Sequence, residues 1–480
     1  MLTYFRGRYG RYGASNGQGY TLNEYFPFHL DPDHILLTTR HRAWVILDPQ
    51  EYELFLRHRI EQKPELYMLL EDLGLILTPR NAKDIATIHC QRYAFLHRPP
   101  SLFIMVPTNR CNMACVYCHA KAQAVSHTEW DMSEETLYKT VDFFFSVPRR
   151  RDEIRIEFQG GEPLLRYDLV QKAMDYTMQR AGEEGIKATF RLVSNLTLMT
   201  NEIAQDIKNR GNIILCSSLD GPPVVHDRQR VYPGERGTYE DTTRWTEKLK
   251  HEYGITVSFL PTFTRNGLGH EREIVDEYVE RGDGSIYLRP VNYTGRAYER
   301  SYQDVGLTSG EVVTAWKTIL DYVLEKNKAG CTIHETETSY LLGNMLVPFF
   351  DFMCLRRPCG CSVSQITVSH DGTIHGCDGG RSVPMLIMGS VLSDTYDEVY
   401  ASDTAMALRT LAAETLPECQ TCPFGPYCGY CVARGINQHG GPIPDIPLNF
   451  ECQIFREMIP HLFKKLINRE DAAILNSWVL

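Results

Sequence analysis

Cys111, Cys115 and Cys118 stand in one short run, Cys-x3-Cys-x2-Cys, with Tyr117 just before the last thiol. Three thiolates suit an iron–sulfur cubane with one iron left free of protein ligands, and an open position on a metal centre is a place for chemistry. The same spacing would also put three packed thiols on one stripe of a helix. With 15 cysteines in 480 residues, chance supplies only about 0.015 such runs. Position separates the two readings. The run follows the apolar stretch Leu102 to Val106, which ends at Pro107 as a buried parallel strand would. A loop at the C-terminal end of a barrel strand is where catalytic groups collect.

Residues 99–335 can build that barrel. Strands are expected at 102–106, 154–158, 188–193, 213–219, 255–260 and 285–290. Helices are expected near 133–146, 167–181, 201–210, 238–252, 270–281 and 309–328. Six βα units imply an α/β fold, a parallel sheet curled into a partial (β/α)6 TIM-like barrel. Residues 1–20, rich in Gly, Arg and Tyr, read as a flexible arm. Residues 21–98 read as a small α+β module, with strands at His34–Thr39 and Ala43–Leu47, a helix opened by Pro49 and another over 64–73. From 336 to 480 the texture changes to a separate cysteine-rich domain, and nine of the cysteines lie beyond residue 350.

The bulk numbers exclude some classes. A composition 43% hydrophobic and 23% charged is that of an ordinary globular chain, and a net charge of −10 with pI near 5.9 argues against nucleic acid as a partner. The run Arg149–Arg151 is too short to reverse this and is expected to cap a helix. No apolar run approaches the ~20 residues that span a bilayer, and the N-terminus lacks a signal-peptide core. The chain is therefore read as cytoplasmic, where abundant thiols mean metal or redox chemistry sooner than disulfides.

The cysteine run with its preceding aromatic residue resembles the radical S-adenosylmethionine (SAM) enzymes. The resemblance implies an open iron that chelates SAM and a 5′-deoxyadenosyl radical that takes hydrogen from an unactivated C–H bond. On their own, Gly160 and Gly161 at a strand end let a ligand approach the backbone, or simply make a turn with Glu162 and Pro163. Against the family they match the element that binds the SAM amino group. Ser194 and Asn195, after the third strand, offer a hydroxyl and an amide for ribose or carboxylate. Ser218, Asp220, His226 and Arg230 match a Ser-Leu-Asp-Gly-Pro…His-Asp-x-x-Arg stretch of the maturase subgroup, where the Arg pairs with the SAM carboxylate. Asp220 and His226 equally fit a turn cap and a surface residue. Arg289 closes the sixth strand and is expected to face the barrel mouth.

The tail carries Cys354, Cys359, Cys361, Cys377, then Cys419-x2-Cys422-x5-Cys428-x2-Cys431, then Cys452. Paired Cys-x2-Cys also suits zinc, but eight thiols suffice for two four-cysteine clusters. The run resembles the SPASM domain of radical SAM enzymes that modify peptides and proteins. That resemblance implies an outer cluster on Cys419, Cys422, Cys428 and Cys452, and an inner one on Cys359, Cys377 and Cys431 with Cys354 or Cys361. The final gap, x2 where the family has x3, is a departure at Cys431. Cys90, Cys216 and Cys331 are read as packing residues. Asp378, directly after Cys377, matches an Asp of sulfatase maturases that takes a proton from the substrate radical; alone it reads as a turn residue.

Across 25–465 the chain resembles most the SPASM maturases of His-Xaa-Ser peptide systems. The implied cofactors are SAM and three 4Fe-4S clusters. The implied partners are a precursor peptide, an electron donor such as flavodoxin or ferredoxin, and a second maturase. The implied reaction is a side-chain crosslink. The alternatives are formylglycine formation of the sulfatase type and a non-catalytic iron–sulfur or zinc scaffold. The 21–98 module resembles winged-helix-like leader-binding modules and fits a structural cap as well.

Overall fold

The computed structural model describes residues 19–148, 152–281, 284–300, 302–411 and 416–479. The arginine run lies outside them, as does the expected arm except for Gly19 and Tyr20. Tyr20 belongs to the module, its ring meeting Tyr67 edge-on at 5.5 Å.

Five strands lie side by side in chain order, all parallel: Leu102–Thr108, Glu153–Gly160, Lys187–Val193, Ile213–Ser217 and Val257–Phe259. The first is buried along almost its whole length, as a parallel strand covered on both faces must be. Helices Glu134–Ser146, Tyr167–Glu184, Asn201–Arg210, Tyr239–Lys248, Glu271–Arg281 and Ser309–Lys328 supply the outer layer. Their ends follow local chemistry: Ser133, Thr200 and Thr308 accept from the first-turn amides, and Gly185 and Gly211 close helices in the left-handed region.

The sixth strand is shorter than expected. Only Ser285–Ile286 is strand, and it pairs with His334–Glu335. The chain rejoins the barrel at a bridge between Phe263 and Pro290. Between the two, the strand is interrupted where Arg289 N turns back to the Tyr287 carbonyl at 2.9 Å and Leu288 N is taken by the Glu335 carboxylate at 3.1 Å.

The cysteine-rich region is less separate than its sequence suggests. Strand Gln365–Val368 pairs in parallel with Leu102–Met105, and Thr373–His375 and Ile387–Ser390 follow antiparallel, which extends the barrel sheet to eight strands. Helix Phe450–Ile467 packs on Ser309–Lys328, and Trp316, Phe158 and Phe463 share one core.

In the N-terminal module, Phe26–Asp31, His34–Thr38 and Trp44–Leu47 form an antiparallel sheet. The first strand alternates apolar and polar residues, but Pro27 inside it argues against a strand anywhere except at an edge, which is where it lies. Alternation along the strands serves two cores. Ile35, Leu37, Val45 and Leu47 meet Phe55, Leu66 and Leu70 of the module's helices, while Leu30 and Leu36 join the main core. Phe28 and Trp44 on that second face meet Phe424 and Phe463, with ring centroids 4.8 and 5.0 Å apart.

Candidate active site and cluster seats

The cysteine loop is tied down by backbone on every side. Ala114 N and Val116 N donate to the carbonyls of Val231 (2.7 Å) and Gln229 (3.0 Å), and Arg296 N donates to the Cys118 carbonyl at 2.9 Å. Arg110 crosses the loop base to Asp131 and the Val125 carbonyl, and Arg166 adds a second cation to Asp131 at 2.9 Å. Burial, then the neighbouring Cys115 and Glu162, pushes the Cys111 thiol well up. Burial likewise pushes Cys115 up to about 11, with Arg230 opposing and Cys118 adding. Thiols held this way bind metal only with loss of their protons, and a cluster is what offsets that cost. The donor set, three soft ligands on one rigid loop, fits a cubane with an open corner.

The glycine pair serves this loop directly. Gly161 N donates to the Thr108 carbonyl (3.0 Å) and Glu162 N to that of Arg110 (2.7 Å). A Cβ on Gly161 would lie 2.0 Å from the Arg110 oxygen, and one on Gly160, whose φ is +142°, would lie 2.2 Å from that of Thr108. A close neighbour that demands glycine here is thus the cysteine loop itself. Pro163 opens a short 3-10 turn behind it. Glu162 is buried and accepts from Ser194 Oγ (2.7 Å), Asn195 N (2.8 Å) and Leu164 N (3.0 Å). Burial still pushes its carboxyl up to about 7. The Ser194 hydroxyl is therefore spent on Glu162. The Asn195 amide reaches toward Cys111 Sγ at 3.8 Å and Asn112 Oδ1 at 3.0 Å.

Asp220 is a hub and not a turn cap. It accepts from Tyr117, from Gln229 Nε2 (2.6 Å), from Arg230 Nε (2.8 Å) and from Thr262 N (2.9 Å). Burial alone would raise its pKa; the Arg230 cation and the donated bonds outweigh this and keep it below the ordinary value. Arg230 is held 5.2 Å over the Tyr117 ring. His226 is fully buried, not a surface residue, accepting from Asp220 N at 3.3 Å and facing Thr238 at 3.1 Å. Burial lowers its pKa to about 4, so it is neutral. Ser218 follows the fourth strand directly and is half-buried.

Behind the loop a cavity of about 340 Å³ runs from His119 and Arg289 past Glu337 and Arg434 to Cys354, Cys377 and Cys431. Asp378 lines this interior and is ion-paired to His119 Nε2 and Arg381 Nε, each at 2.8 Å. Burial opposes its charge, but the Arg381 guanidinium and the hydrogen bonds with His119 and Arg381 hold it well below the carboxylate range. Burial, then Glu335, pushes Glu337 up to about 7. Cys354 and Cys431 have accessible surface, yet burial raises both thiols, Cys431 to about 12. The facts agree because the surface they expose faces the cavity. Cys361 is buried, its sulfur 2.5 Å from where a Cβ on Gly376 would sit, and its free thiol is within hydrogen-bonding reach of Cys359 and Cys377.

A second cavity, also about 340 Å³, is ringed by Cys419, Cys422, Cys428 and Cys452. Among the described residues no three His, Cys, Asp or Glu side chains converge tightly enough for a single ion; these thiols surround open volume instead. Cys216 and Cys331 pack against the core as expected, but Cys90 is exposed on helix Ala82–Gln91 and does not.

Residues 105–282 match the radical SAM superfamily and residues 359–423 match the SPASM iron–sulfur cluster-binding domain. The chain is a radical SAM enzyme with a SPASM domain. An AdoMet-dependent heme synthase from Oleidesulfovibrio alaskensis is 27% identical over 353 residues, 71% of this radical SAM enzyme and 84% of the relative. The structure of anSMEcpe with bound AdoMet and Cp18Cys peptide shares the fold at TM-score 0.67 and 21% identity, covering 78% of this chain and 100% of that one. Streptococcus suis SuiB bound to precursor peptide SuiA does so at TM-score 0.53 and 14% identity, covering 89% and 99%. The radical SAM domain brings with it SAM and a 4Fe-4S cluster, and the SPASM domain further iron–sulfur clusters.

Several residues of the site escape sequence reading. Gly295-Arg296 grips the cysteine loop: φ at Gly295 is +62°, and a Cβ there would sit 2.3 Å from the Cys118 carbonyl. A Gly-Arg step just after the sixth strand was the available signal. His119, Glu337 and Arg434 have no spacing signal; only the fold brings them to one cavity.

Proposed function

We propose that this enzyme modifies a ribosomally made precursor peptide of the His-Xaa-Ser kind, joining two side chains with net loss of two hydrogens. One observation carries the reading. The interior cavity touches both the cysteine loop, through His119, and the inner thiols Cys354, Cys377 and Cys431, so a substrate group seated there neighbours two cluster seats.

In this reading Cys111, Cys115 and Cys118 hold the SAM-cleaving cluster, Cys354, Cys359, Cys377 and Cys431 the inner one, and Cys419, Cys422, Cys428 and Cys452 the outer one. Cys354 is preferred over Cys361 because it lines the cavity. SAM, when bound, supplies the radical that takes hydrogen from substrate. Around it the backbone of Gly160–Pro163, with Ser218, Asn195 and Arg230, orients amino, ribose and carboxylate groups, and Tyr117 and Asp220 hold Arg230 in place. Arg289 faces the substrate side, and Asp378 or Glu337 receives the proton that must leave substrate. The edge strand Phe26–Asp31, paired on one side only, offers a leader peptide a place to add as a strand. A flavodoxin or ferredoxin supplies electrons in the cytoplasm, and a second maturase acts on the same peptide. The peptides bound to anSMEcpe and SuiB support a peptide substrate here.

A second reading, action on a tetrapyrrole, is favoured by the similarity to heme synthase. Anaerobic reconstitution with about twelve irons and deoxyadenosine release is expected. Mass spectrometry of a co-expressed peptide should then show loss of two hydrogens. A Cys-to-aldehyde change would mean formylglycine chemistry, turnover of an iron porphyrin with no peptide change would establish the second reading, and zinc without SAM cleavage would leave a scaffold.

A further inference from the structure

The N-terminal module grips the loop that joins Cys419, Cys422 and Cys428. Thr38 Oγ1 donates to the Pro423 carbonyl at 2.8 Å, Arg40 to that of Gln420 at 2.9 Å, and Arg42 Nε to that of Pro426 at 3.1 Å. The Tyr427 hydroxyl donates back to the Arg42 carbonyl at 3.3 Å. Phe28, from the same sheet, lines the cavity the four thiols surround. On the loop's other side Arg357 donates from Nε to the Cys428 carbonyl at 2.9 Å and from a terminal nitrogen to the Cys428 sulfur.

Both guanidiniums are buried. That of Arg42 is spent on the carbonyls of Pro426 and Phe350 and makes no ion pair among the described residues. A buried cation is costly unless a negative group answers it. Burial, then Arg92, lowers the pKa of Arg42 to about 9, with Tyr427 and the Asp351 carboxylate only partly opposing. A four-thiolate iron–sulfur cluster carries net negative charge, which grows on reduction, and hydrogen bonds to its sulfurs set its potential.

We propose that Arg357 and Arg42 form a cationic seat that raises the reduction potential of the outer auxiliary cluster. The N-terminal module, through Arg42, is then part of the redox apparatus. This rests on reading Cys419, Cys422, Cys428 and Cys452 as ligands of that cluster.

The test uses the full chain, reconstituted anaerobically, with Cys111, Cys115 and Cys118 changed to Ala so that only the auxiliary clusters report. Iron content and an EPR-monitored redox titration are read for Arg357→Gln, Arg357→Lys and Arg42→Gln. Arg357→Gln should lower one of the two midpoints and leave the other. The expected size is at least a tenfold change in the reduced-to-oxidised ratio at fixed potential, or 59 mV for one electron. Arg42→Gln should move the same midpoint by less. Arg357→Lys keeps the charge without the planar fork and should retain iron with a smaller shift. Iron lost in Arg357→Gln but kept in Arg357→Lys supports the seat equally. Full iron with both midpoints unmoved in all three, or iron lost alike in the Lys and Gln variants, overturns it. Zinc in place of iron in the unsubstituted C-terminal site would sink the cluster reading itself, a different outcome.

Discussion

At the residue scale, Asp220 and Glu337 show one principle from opposite sides: a buried carboxylate is tolerable only as far as its neighbours answer it. Asp220 gathers four donors, one of them the Arg230 cation. In Asp220→Asn the new amide would face the donors of Gln229 and Arg230 and leave Arg230 buried without its counter-charge. The expected cost is about 3–5 kcal/mol, read by denaturant unfolding, and deoxyadenosine release should fall at least tenfold. Glu337 has the opposite balance, its carboxyl raised to about 7 by burial and by Glu335. The folded state thus holds its proton where the unfolded state has lost it. Stability attributable to Glu337 is full below about pH 4.5, falls as pH rises toward 7 and is level above, by up to about 3 kcal/mol. Unfolding of the cofactor-free chain should show Glu337→Gln gaining on the parent between pH 5 and pH 8; parallel pH profiles would contradict it.

At the element scale, the meeting of the second strand's end with the cysteine loop is the tightest joint in the barrel. Gly161→Ala places a methyl carbon 2.0 Å from the Arg110 carbonyl, a backbone atom that cannot rotate away. Either the strand end or the loop must shift. Loss of ~4 of ~12 irons and of SAM cleavage is expected, with the thiols of the C-terminal region still loaded; iron analysis decides. The same scale shows what sequence could tell. The barrel helices and first five strands were legible because each carries a clear period and turn residues at its ends. The sixth strand was not, because the backbone turn from Tyr287 to Arg289 interrupts the ladder at a point the apolar pattern does not mark. The thiols and the glycine pair were legible through spacing. Arg434 and Glu337 were not, since their meeting in one cavity depends on how helices pack across the barrel.

At the scale of the whole molecule, two sheets are shared more widely than a reading by segments suggests. The barrel sheet continues into the cysteine-rich region through Gln365–Val368, and strands His34–Thr38 and Trp44–Leu47 of the N-terminal sheet send apolar residues into a core on each face. Trp44 sits at the second seam, its ring on Phe463 and its Nε1 donating to the Met345 carbonyl at 2.7 Å. Trp44→Ala should cost about 3–5 kcal/mol, measured by chemical unfolding. It should also make residues 21–98 newly susceptible to limited proteolysis while the barrel resists. No helix among the described residues is long and apolar enough to cross a membrane.

Because that sheet has apolar layers above and below, it cannot swing outward without wetting Leu30, Leu36 and Trp44 on one side. The module therefore behaves as a fixed handle and not as a hinged arm. Were a leader peptide to dock on it as proposed, the reach between its docking segment and its reacting side chains would be set by a ruler that does not flex.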